Sequence, residues 1–115
     1  MRVLIYGSRT WTDPAPIKAF IDSLPEDAAI IHGAARGADS LAGELAQARG
    51  LVVYEFPADW KTHGRAAGPI RNRQMIEEGR PDMAVGFRMP GESSGTDNMT
   101  RQLAAHNIDT VLIRK

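Results

Sequence analysis

The chain contains no cysteine. Disulfide staples, thiol nucleophiles and cysteine metal sites are excluded, and the absence fits a cytoplasmic setting. Neither sign of charge is in excess: 14 Lys and Arg balance 14 Asp and Glu. A neutral chain is not held to a polyanion by bulk charge, so nucleic acid is not an expected partner, although a local basic site is compatible with neutrality. Aromatic residues make up only 6% of the chain, too few for an extended platform on which a single strand would stack. No apolar run approaches the roughly 20 residues needed to cross a bilayer, and no membrane association is expected. The opening run Val3–Tyr6 is too short for a secretory leader and reads as a strand.

What is present suits one compact domain. The chain has 115 residues, 43% of them hydrophobic, which is enough for a modest core in a single domain over residues 1–115. Val3–Tyr6 lacks alternation and so reads as a strand buried on both faces. In TDPAPIKAFIDSL, Thr12 or Asp13 is placed to cap a helix and Pro14 suits its first turn. Ile17, Phe20, Ile21 and Leu24 then recur at helical spacing. Ala28–His32 is a second strand. Ala38–Arg49 is a helix with Leu41, Ala42, Leu45 and Ala48 on one face and Gly50 as its stop. Leu51–Phe56 is a third strand, Pro57–Gly68 a loop, and Pro69–Glu78 a helix with Ile70, Met75 and Ile76 inward. Met83–Phe87 is a fourth strand, Met89–Gly95 a glycine-containing loop, Thr96–His106 a helix and Thr110–Ile113 a last strand. Strict alternation with short connections predicts an α/β fold, a doubly wound parallel five-stranded sheet of order 3-2-1-4-5 with helices on both faces. That order reverses between strands 1 and 4, and ligands bind beyond the carboxyl ends of strands at such a point.

The unusual residues fall at those strand ends. Strand 1 runs into Gly7, Ser8 and Arg9; strand 2 into His32, Gly33, Arg36 and Gly37; strand 4 into Pro90, Gly91, Gly95 and Thr96. Two of these loops lead into helix N-termini, where free N–H groups and the helix dipole favour an anion and glycine lets the backbone come close. Ordinary turn chemistry accounts for any one loop, whereas three converging loops point to a phosphate-bearing ligand. Asp39, in the first turn after Ala38, either favours the helix start by charge or holds a ribose hydroxyl. The segment ADWKTHGRAAGPIRNR crowds basic residues behind Trp60, whose face suits a base or apolar surface. Arg71 and Asn72 are assigned to a ligand because Gly68 and Pro69 set them at a helix start; Lys61 and Arg73 are assigned to solvent. Trp11 stacks on a ligand or packs over the first helix. His32 reads as a hydrogen-bonded structural histidine. His63 and His106 lack metal-ligand spacing, so no metal is expected.

The segments GSRTW, HGAARGAD, FPADW, GPIRNRQM and PGESSGTDNM, in this order and spacing, closely resemble the YspA-like, YpsA-related group of the SLOG superfamily. That superfamily also holds the DprA/Smf DNA-processing proteins and the lonely-guy phosphoribohydrolases. The resemblance implies a Rossmann-like fold and the binding or sensing of a nucleotide or nucleotide-derived ligand, with no cofactor. It carries Gly7, Ser8 and Arg9, then Gly33, Gly37, Ala38 and Asp39, then Arg71 and Asn72, then Pro90, Gly91, Gly95 and Thr96 as the matching positions. It implies a homo-oligomer, expected to be a dimer, of phage or bacterial type. One departure bears on chemistry. The lonely-guy enzymes carry PGGxGTxxE, whose Glu serves N-glycosidic cleavage; here Met99 holds that place and the loop is longer by one residue. Binding is therefore expected over turnover. The alternatives are a nucleotide N-glycoside hydrolase or transferase, with Asp39 and Arg71 as candidate catalytic residues or Asp97 as a substitute, and single-stranded DNA binding as in DprA.

Overall fold

Val3, Leu4, Ile5 and Tyr6 are all buried in the computed structural model, which describes residues 1–91 and 93–115. Side chains alternate across a strand, and here Val3 and Ile5 enter one core while Leu4 and Tyr6 enter another. This strand, β1 (Arg2–Gly7), is the middle of a parallel five-stranded sheet. Its neighbours are β2 (Ala29–His32) and β4 (Met83–Arg88), and β3 (Val52–Glu55) and β5 (Asp109–Arg114) form the edges. The order is β3-β2-β1-β4-β5, as the alternation predicts. Leu4 lies opposite both Ile31 and Ala84, so the carboxyl ends of the three central strands share one edge.

Helices α1 (Pro14–Asp22) and α2 (Ala38–Ala48) cover the first core. Asp13 caps α1 by accepting the Ala15 N–H at 3.0 Å, and Ile17, Ile21 and Leu24 are buried beneath it. In α2 the inward stripe is Ala38, Ala42 and Ala46, with Leu41 and Leu45 half-buried at its flank. Small residues bring this helix close to the sheet, and the phase shifts so that Ala48, expected inward, is exposed. Gly50 ends α2 at φ +84°: its N–H bonds to Gln47 O and that of Leu51 to Ala46 O, a Schellman turn. Arg49 donates to the carbonyls of Ile21 and Leu24, so one side chain serves the open end of α1.

The segment 57–68, expected as a loop, is partly helical. Helix α3 (Trp60–His63) starts at Asp59, whose carboxylate accepts the Thr62 N–H at 3.1 Å, and a 3-10 turn (Gly64–Ala66) links it to α4 (Ala67–Glu77). Elements this short show no apolar period. The inward stripe of α4 is Ala67, Arg71 and Met75 beside Gly68, Asn72 and Ile76. Two of its members are polar, so apolar residues alone misplace the face, and Ile70 is 43% exposed rather than inward. Helix α5 (Ser94–Ala105) completes the second core through Met99 and Leu103. Glu92, in the expected 89–95 loop, lies outside the described residues. Among the described residues no helix is long and apolar enough to cross a membrane.

Gly37 and Gly50 both have positive φ, but only Gly50 has open space where a side chain would go. A Cβ on Gly37 would lie 2.3 Å from Ser8 O and 2.6 Å from Arg9 O. We expect Gly50→Ala to cost about 1 kcal/mol and Gly37→Ala about 3 kcal/mol or more, since strain and clash add. Urea denaturation measures both; equal losses would contradict this account of the junction.

Candidate functional site

The glycine at the end of β1, Gly7, is demanded by packing. A Cβ on Gly7 would meet Phe87 O at 2.3 Å and Ala38 Cβ at 2.7 Å, so β1, β4 and the start of α2 touch there. Ser8 ties the same three elements. Its N–H bonds to Phe87 O, its carbonyl accepts the N–H groups of Trp11 and Ala38, and its hydroxyl accepts the Met89 N–H and bonds to the Ser93 hydroxyl. The crevice between β1 and β4, where the strand order reverses, is thereby closed. Asn72 adds to the closure, donating to Gly95 O and to Asn98 Oδ1.

The loop after β2 is organised around a buried anion and a buried cation. Asp39 Oδ2 accepts the Gly33 N–H at 3.0 Å, and the Ala35 N–H also faces the carboxylate. On the other side of Gly33, Arg71 Nη1 donates to its carbonyl. A Cβ on Gly33 would lie 2.5 Å from Arg71 Nη1 and 2.9 Å from Asp39 Oδ2, so only glycine fits. Burial drives the Asp39 pKa up to about 6, against the pull of Arg71, the two N–H groups and Arg9. Burial also lowers the Arg71 pKa, which Asp39 raises and Arg9 lowers; a guanidinium stays charged regardless. His32 lies below. Its Nδ1 accepts the Ala34 N–H at 3.0 Å, which places the proton of the neutral ring on Nε2. That atom is buried without a hydrogen-bond acceptor, 3.6 Å from Glu55 Oε1, and burial lowers the His32 pKa. The N–H groups of Gly33 and Ala34 are thus turned inward.

A cleft of about 330 Å³ opens over this loop. Its cations are Arg9, Arg36 and Arg71, and its aromatic wall is Trp60, 49% exposed. Gly33, Ala34 and Ala35 form its floor, and Pro57 and Ala58, just beyond β3, its far side. Ala34, Ala35, Pro57 and Ala58 were not among the expected site residues, although the first two lie in the glycine loop after strand 2 and FPADW places the last two directly after a strand end, where ligands collect. Arg71 is 8% exposed. Its Nε donates to Asn72 Oδ1 and its Nη1 to Gly33 O, while its Nη2 has no protein acceptor among the described residues.

The other expected site residues lie elsewhere. Gly7, Ser8, Gly37, Ala38, Asp39 and Asn72 support the cleft without lining it. Trp11 is 2% exposed; its indole N–H bonds to Asp13 O and its ring meets Phe87 edge-on, so it packs in the core. Pro90, Gly91, Gly95 and Thr96 do not border the cleft, since the bonds of Ser8 and Asn72 hold their loop against β1 and α4. Met99, at the place of the lonely-guy glutamate, is 1% exposed in the second core. Asp97 is held by Arg88 in a two-point ion pair at 2.8 and 3.0 Å. Arg73 pairs with Glu77 on the surface, and Lys61 is exposed.

Three comparisons bear on this arrangement. A family model described as YspA, cpYpsA-related SLOG family matches residues 1–63. The Gene 61 protein of Mycobacterium phage D29 is 36% identical over 119 residues, covering 96% of this chain and 94% of that protein. DNA processing protein A (DprA) from Streptococcus pneumoniae superposes with a TM-score of 0.62 at 16% identity, over 96% of this chain. The chain spans 58% of that DprA structure, and the likeness concerns the fold.

The raised Asp39 pKa has a definite sign. Its ordinary value is 3.8 and its folded value about 6. Between them the folded chain holds a proton that the unfolded chain lacks, so stability falls as pH rises through that window, by roughly 3 kcal/mol. Asp39→Asn should lack this component, so the difference between the two urea-stability curves should decline from about pH 4 to about pH 6. A difference independent of pH would show that Asp39 titrates normally.

Proposed function

We propose, from the premise that this chain belongs to the YspA, cpYpsA-related SLOG family, that it binds a phosphate-bearing, nucleotide-derived ligand in the Arg71 cleft. The observation that carries the reading is a buried guanidinium fixed by two bonds, its remaining nitrogen unclaimed by protein among the described residues, in a cleft that also holds Arg9 and Arg36. Desolvating a cation is costly unless a partner repays it, and Asp39 reaches Arg71 only across the Gly33 peptide. A phosphate at this place would complete the fork. Three arginines in one cleft of a neutral chain give the local positive field that such a ligand requires.

The same geometry favours binding over cleavage. Breaking a ribose–base bond needs a carboxylate near the anomeric carbon. Among the described residues no carboxylate lines the cleft: Asp39 is beneath its floor and Asp97 is engaged by Arg88. Fixed charge and a preformed pocket suit binding.

Calorimetry with nucleoside mono- and diphosphates and dinucleotides tests the reading. Removing a buried charge partner typically costs 2–5 kcal/mol, so Arg71→Gln should weaken the best ligand by about 30-fold or more. Arg36→Ala, at the exposed rim, should weaken it by about tenfold or less and flatten its salt dependence. Unchanged affinity in a folded Arg71→Gln protein would end the proposal.

A further inference from the structure

Trp60 is a large aromatic side chain left 49% exposed at the rim of a charged cleft. It stands on α3, a helix of only four residues. The helix is held by the Asp59 carboxylate on the Thr62 N–H and by the Asp59 carbonyl on the His63 N–H. The ring borders α4 at Gly68, where an added Cβ would lie 3.5 Å from its Cη2. The guanidinium of Arg9 lies over the indole, 5.4 Å from the ring centre. So the aromatic surface is mounted on short, capped backbone and covered by an exposed cation from the cleft itself.

We propose that Trp60 is a stacking platform for the base of a single nucleotide unit, and that Arg9 is its resident placeholder, leaving the ring for the phosphate when the base arrives. This rests on the phosphate-binding reading of the Arg71 cleft. An exposed cation–ring contact is weaker than base–aromatic stacking, so exchange is favourable. The released Arg9 stays in the cleft with Arg71 and Arg36, where a phosphate draws it. The volume, about 330 Å³, is at the lower end of small-molecule sites and suits one nucleotide unit rather than two.

The lining also sets what kind of selectivity is available. Besides its arginines, the cleft offers Trp60, small apolar side chains such as Ala34, Ala58 and Pro57, and backbone. It contains no Asn, Gln, Ser, Thr or carboxylate side chain among the described residues to read the edge of a base. With the arginines engaged by phosphate, discrimination then follows stacking area: purines above pyrimidines, with adenine and guanine nearly alike.

Calorimetry with ribose 5-phosphate and with adenosine, guanosine and uridine monophosphates tests this on the intact chain. The two purine nucleotides should bind about tenfold tighter than ribose 5-phosphate, with uridine monophosphate between them. Trp60→Leu should erase the gain from the base while leaving ribose 5-phosphate affinity within about twofold, and Trp60→Phe should restore most of it. A base that adds nothing in the native protein, or a Trp60→Leu loss equal for all four ligands, overturns the platform and leaves the phosphate site standing. Failure of all four ligands to bind the native protein also removes the platform, and the phosphate reading then stands or falls on the diphosphates and dinucleotides.

Discussion

The peptide of Gly33 is held from both ends by opposite charges. Its N–H is given to Asp39 and its carbonyl is taken by Arg71. Neither charged group tolerates burial alone, and each is stabilised by the same residue. A Cβ on that residue would push Arg71 or Asp39 away, so both bonds stand only while the residue is glycine. The helix that carries Asp39 is positioned by Ser8, and the helix that carries Arg71 is tied through Asn72 to α5. Removal of either side chain leaves the other buried without its counterpart, so this arrangement fixes the floor of the cleft and constrains both flanking helices.

A doubly wound sheet has its natural crevice where the strand order reverses, between β1 and β4. Here that crevice is filled by hydroxyls and amides: Ser8, Ser93 and the Met89 N–H on one side, Asn72 and Gly95 on the other. The arginine-lined cleft lies one strand away, over β2 and towards β3. The loop after β4 therefore serves as a brace, with Arg88 donating to the carbonyls of Met89 and Gly91 as well as to Asp97. Sequence motifs that look like equal thirds of one site divide in the structure into lining and scaffold.

The topology is legible in the sequence because its causes are local and repetitive. Strands buried on both faces must be continuous apolar runs, and Val3–Tyr6 and Ala84–Phe87 are such runs. The stops are equally local, as Gly50 and Asp13 show. The cleft is less legible because its causes are long-range. Arg71 is assigned to a ligand from its place near a helix start, but its anchor, Gly33, lies 38 positions earlier and only the folded chain sets the two together. Gly37 reads as a phosphate-loop glycine, yet the carbonyls of Ser8 and Arg9 occupy the space its side chain would need. Trp11 and Trp60 are alike in sequence context, each following a strand end by a few residues; only tertiary packing sends one inward and leaves the other at the surface.

That contrast makes the two indoles separable optical reporters. Trp11 sits in an apolar core against Phe87, so its emission belongs at shorter wavelength and shifts when the chain unfolds. Trp60 faces water beneath a guanidinium, so its emission belongs at longer wavelength and is open to collisional quenchers such as iodide. One spectrum of the unlabelled protein therefore carries two signals, one tracking the integrity of the core and the other the surroundings of the cleft rim.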